Sequence, residues 1–331
     1  LELRNLALSG GETALALDLQ DAGLTAHGFH VSDAVHGITV DGNGGTVTIT
    51  DATFVDCGNE VGNGSSLRIW GDTDVIVTDA AFRNDEGGSG GAVTVSDESH
   101  LTLQAVSIDL HSASNNAVVA CSGEASATLE EVLFDGCAGT AIHAGGTLAP
   151  LNGLEFEYCD GTLVRLAGDL TQVDIDGVTA RNCTGEVLDL GPDQVVELWQ
   201  SVVIGHDGIP FAVGATAWLQ LLGGTFVDLS GSLATVAEGG RLDIERCVAV
   251  NVAVPAVGGS LAEVGIEFTD LWRDDETEAW EGLEAYAGAS GNIEADPLFC
   301  DRATGDLRLE PGTPCLLPDD GVMGAFGVGC D

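Results

Sequence analysis

The sequence predicts an all-β protein folded as a parallel solenoid of about twelve coils and closed by a C-terminal cap. Three observations predict this fold: an aliphatic pattern that recurs about every 23 residues, alternation with period two inside each repeat, and glycine-rich turns between repeats. Period two is the spacing of a β-strand, and repeats of this length without a helical period are typical of solenoids. We assign residues 1–272 to the solenoid and residues 273–331 to the cap.

The repeat is clearest in the segment VTITDATFVDC, which begins at Val47. With its first residue as position 0, positions 0, 2 and 7 are aliphatic or phenylalanine in every repeat, whereas positions 1 and 3 are mostly polar. The repeats begin at Leu1, Leu24, Val47, Val75, Leu101, Ala127, Ala149, Val173, Val196, Leu219, Leu242 and Val264. Because the inward parity changes between positions 2 and 5, each strand should bend there and continue with its faces exchanged.

The composition excludes several classes of function. The 331 residues include 53 acidic and 10 basic side chains, a formal charge of -43, and every basic residue is arginine. Such a charge repels phosphates and anionic membranes, so we expect no nucleic-acid partner and no direct membrane insertion. Without lysine, Schiff-base and P-loop chemistry are excluded. The 44% hydrophobic content is nevertheless sufficient for a folded core.

Motifs in the repeats and in the tail carry a family resemblance. The stacked aliphatic units resemble the right-handed parallel β-helix of pectate-lyase-like proteins over residues 1–271. Residues 82–85 (FRND) and 90–93 (GGAV) are similar to repeats of polymorphic outer-membrane proteins and autotransporter-like adhesins, with Asp85 where that pattern has Asn. The tail resembles the closing segment of secreted bacterial β-helix proteins through DPLF at 296–299, GDLRL at 305–309, GTPC at 312–315 and GAF at 324–326. The resemblance implies an extracellular or cell-surface location and no single activity.

The nine cysteines suggest two structural roles. Four occupy position 10 of their repeats, in a row with His111 and His206: Cys57, Cys137, Cys159 and Cys183. A stacked row gives a line of side chains rather than four converging ligands, so we predict a buried ladder instead of a zinc site. Three lie in the tail, where a disulfide would stabilise the cap and fit an oxidising compartment: Cys300, Cys315 and Cys330. The sequence does not decide which two pair, or whether Cys121 takes part.

Acidic loops make calcium the one candidate cofactor. The candidate ligands are Asp41, Asn43, Asp72 and Asp74. Hard oxygen ligands at alternate positions suit Ca²⁺. The alternative is a solvated acidic face.

An apolar row faces outward in the last coils and must be covered. It consists of Trp199, Val202, Ile204, Leu222, Val227, Val248, Val250 and Trp272. We predict that residues 273–297 cover it, because Trp280, Leu283 and Tyr286 recur there at helical spacing. A glycan or a protein partner is the alternative cover. Trp199 and Trp272 are therefore the candidate ligand-binding residues, since aromatic faces stack on sugar rings.

The first coil raises the question of self-association. Leu1, Leu3, Leu6 and Leu8 form an inward row that no cap precedes. An open solenoid end exposes unpaired strand edges. The sequence therefore predicts either further residues upstream or association of chains through this end.

Three functions agree with these features. The first is a non-catalytic structural or adhesive protein, secreted or on the cell surface, which binds a glycan or a surface protein. The second is a Ca²⁺-dependent polysaccharide lyase or a glycoside hydrolase acting on acidic glycans, with Arg165, Arg181, Arg241 or Arg246 as a base or with the GHDG element at 205–208. The paired carboxylates of such hydrolases are missing, so we predict no catalytic residues. The third is a filament subunit that stacks end to end.

Overall fold

The computed structural model describes residues 1–57, 65–83, 91–109, 112–167, 172–253, 256–257, 261–275, 278–317 and 321–330. Its residues cluster into two compact units, 1–170 and 171–331. Across the described ranges the regular structure is β-strand apart from one short 3-10 helix. No helix there is long and apolar enough to span a membrane.

The first unit contains fourteen strands. They are β1 (Glu2–Arg4), β2 (Ala7–Ser9), β3 (Thr13–Ser32), β4 (His36–Val55), β5 (Ser65–Thr78), β6 (Ala81–Arg83), β7 (Val93–Val95), β8 (His100–Asp109), β9 (Ser112–Cys121), β10 (Ser126–Asp135), β11 (Ala138–Ala144), β12 (Thr147–Asn152), β13 (Glu155–Glu157) and β14 (Val164–Leu166). Position 2 of each repeat lies opposite position 2 of the next, through Leu3, Ala26, Ile49, Val77, Leu103, Leu129 and Leu151. Every pairing in this row is parallel, and from Ala26 onward the side chains are buried.

The second unit continues the same pattern in shorter strands. They are β15 (Val173–Asp176), β16 (Thr179–Arg181), β17 (Leu188–Leu190), β18 (Val195–Trp199), β19 (Val202–Ile204), β20 (Phe211–Val213), β21 (Trp218–Leu222), β22 (Thr225–Val227), β23 (Ala234–Val236), β24 (Arg241–Glu245), β25 (Val248–Val250), β26 (Ala256–Val257), β27 (Glu263–Glu267), β28 (Asp270–Trp272), β29 (Phe299–Asp301) and β30 (Asp306–Leu309). Ile175, Leu198, Leu221, Ile244 and Ile266 are paired in parallel register and buried. The predicted parallel β-helix is confirmed within each unit.

Each coil bends at position 4 through a residue in the left-handed backbone region. These residues, with φ from 47° to 72°, are Asn5, Gly28, Asp51, Asp79, Ala105, Glu131, Gly153, Gly177, Gln200, Gly223, Arg246 and Phe268. A single left-handed residue turns the following side chains to the other face, which explains the change in inward parity. The corner N–H groups donate to the neighbouring coil, as from Gln200 N to Leu222 O at 2.9 Å.

The cover of the outward apolar row differs from the prediction. Described residues in 273–297 form turns and no helix, although Trp280 is fully buried. The cover comes instead from the later tail, where Leu307, Leu309, Cys315, Leu317 and Met323 pack against Val202, Val227, Val248 and Val250. The helical spacing of Trp280, Leu283 and Tyr286 was misleading, because Gly282 between them and Gly288 just after them both have positive φ and stop a helix.

Residues 286–295 close the last coil by replacing the missing next strand. The Asn292 amide, 3% exposed, accepts from Thr269 N at 3.0 Å and donates to Ile266 O at 2.9 Å. Tyr286 donates its hydroxyl to Val264 O, and Ile293 pairs with Asp270. Side chains and the backbone of this segment thus satisfy hydrogen-bonding groups at the edge of the last coil.

The left-handed corner gives a stability prediction. Glu131 is an exposed corner residue at φ 54°. A β-branched residue is poorly tolerated there, so we expect Glu131→Ile to lower the free energy of unfolding by about 1–2 kcal/mol, whereas Glu131→Gly should change it by less than about 1 kcal/mol. Chemical denaturation measures both. Thr128→Ile, at an outward strand position of β10, is the control and should be nearly neutral; equal effects at positions 128 and 131 would contradict the role of the corner.

The side-chain closure of the last coil gives a second prediction. Asn292→Ala leaves a buried N–H and a buried carbonyl without their partners, so we expect a loss of about 2–4 kcal/mol. Gln104→Ala, which removes an exposed amide bonded to Glu130 at 3.2 Å, should cost less than about 0.5 kcal/mol. Denaturation curves of the two variants decide the matter, and similar small losses in both would show that Asn292 does not close the edge.

Candidate functional site

A concave pocket lies in the second unit beside Trp199, one of the two candidate ligand-binding residues. It has a volume of about 390 Å³. The pocket, called here the Trp199 pocket, is lined by Trp199, Gln200, Leu222, Gly223, Glu245, Arg246, Val322, Gly324, Ala325, Phe326 and Gly327. Trp199 is 44% exposed, so its ring is available to a bound molecule.

Three stacked corners form the floor of the Trp199 pocket. Gln200, Gly223 and Arg246 all occupy position 4 of successive coils, and each N–H donates to the coil that follows. The middle corner is glycine, so no side chain fills the space between Gln200 and Arg246. A Cβ at Gly223 would have only the carbonyl oxygen of Gly324 nearby, at 3.7 Å. The pocket therefore exists because one corner residue lacks a side chain.

The tail forms the opposite wall. Gly324 N donates to Arg246 O at 2.6 Å, and Ala325 N donates to Thr225 Oγ1 at 2.9 Å. Gly324 has φ 90°, and a Cβ there would lie 2.9 Å from Thr225 Oγ1 and 3.2 Å from Val248 Cγ2. Only glycine allows this close approach. The GAF motif of the tail thus places Phe326 at the pocket.

The wall residues combine apolar faces with a few polar groups. Trp199, Leu222, Val322 and Phe326 supply apolar surface, and Gln200 supplies an amide. Glu245 and Arg246 are about half-exposed, with Arg246 Nε 3.4 Å from Glu245 Oε1, so their charges largely cancel. An amphipathic, uncharged molecule suits such a lining better than an anion.

The second candidate, Trp272, lines a different pocket. Its volume is about 330 Å³. This Trp272 pocket is lined by Val250, Trp272, Asp274, Asp296, Pro297, Leu298, Phe299, Arg302 and Glu310. Trp272 is half-buried and packs on the apolar cluster under the tail. The two tryptophans therefore belong to separate sites.

The tail cysteines take different positions. Cys300 and Cys330 form a disulfide that closes a separation of 30 residues. Cys315 is a buried free thiol, and so is Cys121. The disulfide holds the chain just beyond Gly327 against β29, and Leu309 adds hydrogen bonds to Gly327 and Gly329. It therefore supports the tail wall of the Trp199 pocket.

A buried carboxyl group lies beneath the tail. Asp270 is fully buried; its Oδ1 accepts from Ala295 N at 3.1 Å, and its Oδ2 lies 3.2 Å from Cys315 Sγ. Burial raises the pKa of Asp270 to about 7 and also raises the pKa of the Cys315 thiol. The pair is positioned to hold the tail on the last coil, away from solvent.

The predicted calcium ligands lie on exposed strand segments of the first unit. Asn43 pairs in register with Asp72, while Asp41 pairs with Trp70 and Asp74 with Thr46. All four candidate side chains are exposed. Within the part of the chain that the structure describes, no three Asp, Glu, His or Cys side chains form a metal-sized group. Calcium at these residues stays a prediction.

The cysteine row and His206 belong to the core. Cys57, Cys137, Cys159 and Cys183 are buried thiols. His206 is 1% exposed, with Nε2 2.7 Å from Gly185 O, and burial lowers its pKa. His111 and residues 84–90 of the adhesin-like pattern lie outside the described residues. The described members of this row are therefore buried side chains of the core, as position 10 of the repeat predicts.

Two of the four candidate arginines form ion pairs with neighbouring carboxylates. Arg241 Nε donates to Asp243 Oδ2 at 2.8 Å, and its guanidinium lies 4.6 Å from the Trp218 ring. Arg246 pairs with Glu245, as described above. Each guanidinium group therefore faces a carboxylate of the chain itself. The geometry thus gives no support to either residue as a catalytic base.

No protein-family model matches the chain, and no curated protein sequence matches it. Several solved structures are similar in fold. One is a mannuronic-acid-specific family 6 polysaccharide lyase from human gut microbiota, at 9% identity, covering 89% of this chain and 87% of the other, with a TM-score of 0.42. Another is the Vag8–C1 inhibitor complex, at 13% identity, with 89% and 88% coverage and a TM-score of 0.46. The periplasmic alginate epimerase AlgG is similar at 8% identity, with 74% and 77% coverage and a TM-score of 0.28. At these identities the similarity concerns the fold alone.

The buried carboxyl makes stability depend on pH. The pKa of Asp270, about 7, lies above the ordinary value of 3.8, so between about pH 4 and 7 the folded protein keeps a proton that the unfolded chain has lost. The stabilisation that comes from this retained proton is fully present below about pH 4 and declines as the pH rises to 7. Asp270→Asn keeps the acceptor for Ala295 N–H but does not ionise. Its unfolding free energy relative to wild type should therefore rise by a few kcal/mol from pH 4 to 7.5.

Denaturant titrations across this pH range measure the difference. Asp72→Asn, which makes the same substitution at an exposed position of the first unit, is the control for replacing an aspartate without removing a buried carboxyl group. If the difference in unfolding free energy between Asp270→Asn and wild type does not change with pH, Asp270 is not protonated in the folded protein.

Proposed function

We propose that this protein is a non-catalytic β-helix adhesin of the cell surface or the secreted fraction that binds neutral glycans in the Trp199 pocket. The observation that carries the proposal is the pocket itself: an exposed tryptophan faces a concave, mostly apolar space with three hydrogen-bonding side chains at its edge. Aromatic faces pack on the apolar faces of sugar rings, while amide, carboxylate and guanidinium groups bond hydroxyls. A volume of about 390 Å³ suits a small saccharide segment.

Electrostatics supports a neutral rather than an acidic glycan. The chain has a formal charge of -43, which repels a polyuronate at long range. Inside the pocket the single guanidinium is paired with Glu245 and offers no excess positive charge. A neutral sugar avoids both penalties.

The disulfide supports an extracytoplasmic location. Disulfides form and persist mainly in oxidising compartments. Cys300–Cys330 joins the first and last parts of the tail that forms the pocket wall, so the proposed binding site depends on a bond that a reducing cytoplasm would break.

Binding can be tested with a panel of neutral disaccharides, including cellobiose, lactose, mannobiose and N,N′-diacetylchitobiose, by calorimetry. We expect at least one of these disaccharides to bind. Trp199→Ala should weaken its affinity about tenfold, because the aromatic face that stacks on the sugar is lost. Gly223→Asn fills the gap between the corner side chains and should also weaken binding. Asparagine is tolerated at positive φ, so the fold should survive.

Two matched variants serve as controls. Gly177→Asn makes the same change at a corner that does not line the pocket, and Tyr158→Ala removes another exposed aromatic residue. Neither should alter binding. The proposal fails if no neutral sugar binds, if the controls behave like the pocket variants, or if alginate or polygalacturonate is cleaved in a Ca²⁺-dependent reaction that Arg241→Gln abolishes.

A further inference from the structure

The Trp272 pocket has a chemistry unlike that of the Trp199 pocket. Its floor and sides are aromatic or aliphatic, from Val250, Trp272, Pro297, Leu298 and Phe299. Its charged groups are the acids Asp274, Asp296 and Glu310 against the single cation Arg302. The Trp272 pocket therefore combines apolar side chains with more acidic than basic groups.

Arg302 shows that these walls accept a guanidinium group. Its Nη1 lies 2.7 Å from Asp274 Oδ2, and its Nη2 donates to Asp228. Asn251 bridges the same two carboxylates, at 2.8 Å and 3.0 Å. Hydrogen bonds from Arg302, Asn251 and Trp272 lower the pKa of Asp274. One carboxylate of the lining is thus neutralised by the chain itself.

Among the described residues, no cation forms a comparable ion pair with the other two carboxylates of the lining, Asp296 and Glu310. Asp296 Oδ1 accepts a hydrogen bond from the backbone N–H of Leu298 at 2.9 Å, which is a neutral donor. Glu310 is exposed at the rim, and no described cationic side chain forms an ion pair with either acid. Leu298, 37% exposed, and Phe299 line the same pocket as these two carboxylates.

We propose that the Trp272 pocket binds an organic cation carried on an apolar stem, of the kind that an arginine or lysine side chain of a partner protein presents. The stem would pack on Trp272, Leu298 and Phe299, and the charged end would lie between Asp296 and Glu310. Cations are attracted both to carboxylates and to aromatic faces. The formal charge of -43 raises the local concentration of a basic partner.

A metal ion fits this pocket less well. Ca²⁺ requires six to eight oxygen ligands, whereas the side chains of Trp272, Leu298 and Phe299 in this lining offer only carbon or an indole N–H. In the described part of the chain no group of three acidic side chains converges as a metal site would require. An anion is disfavoured because Arg302 is already shared by two carboxylates.

The test is an NMR titration that follows the indole N–H signal of Trp272, assigned by its loss in Trp272→Phe. The probes are N-acetyl-argininamide, tetramethylammonium, the neutral N-acetyl-norleucinamide and CaCl₂. We expect the two organic cations to shift the signal saturably and the neutral probe to bind at least threefold more weakly. Raising the salt concentration to 1 M should weaken binding of the two cations and leave binding of the neutral probe unchanged.

The two cationic probes also distinguish the natural ligand. Tighter binding of the argininamide supports a side chain of a partner protein, and tighter binding of tetramethylammonium supports a small quaternary amine.

Variants that replace a single carboxylate with its amide show where the cation binds. Glu310→Gln and Asp296→Asn should each weaken argininamide binding about threefold. Glu238→Gln removes the same charge from an exposed turn of the second unit that does not line the pocket, and should change nothing. Three results would overturn the proposal: equal binding of the neutral probe, displacement of both cations by Ca²⁺ at lower concentration, or equal effects at positions 238 and 310. None depends on whether the Trp199 pocket binds glycans.

Discussion

The left-handed residue at position 4 of every coil is the constraint on which the rest of the structure depends. It bends the strand and exchanges its faces, so the inward residues move from positions 0 and 2 to positions 5 and 7. Without it the aliphatic residues of each repeat would point in two directions and could not stack. Eight of the twelve corners carry a side chain in a region that disfavours one. The hydrogen bonds to neighbouring coils offset that cost.

The same constraint creates the candidate binding site. Stacked corners place their side chains in one outward column, and a glycine within that column leaves a gap. At Gly223 the gap is flanked by Gln200 and Arg246 and closed by the tail loop at Gly324. The glycine at 177 occupies an equivalent corner but does not line the pocket. A glycine corner alone therefore does not form a pocket. The pocket forms at Gly223 because the tail loop covers that corner.

The sequence predicted the regular part of the fold far better than the irregular part. Period-two alternation and the parity change located the strands and their bend, because these follow from burial of one face. The left-handed conformation itself was not predicted, since residues as different as Asp51, Ala105 and Phe268 adopt it. The cover of the outward row was assigned to 273–297 because Trp280 and its neighbours have helical spacing, whereas Leu307, Leu309 and Met323 provide it. Long-range packing of an aperiodic tail leaves no periodic signal in the sequence.

The two tryptophan sites show how local charge can override the charge of the whole chain. Both lie in the same strongly acidic protein, yet at Trp199 the paired Glu245 and Arg246 leave a nearly neutral lining. At Trp272 the pairing is incomplete, because Arg302 is shared between Asp228 and Asp274, and among the described residues no cation forms an ion pair with Asp296 or Glu310. In a chain with ten arginines and no lysine, the few cations determine which pockets are neutral. The position of each arginine, rather than the total charge, therefore sets the kind of ligand that each pocket favours.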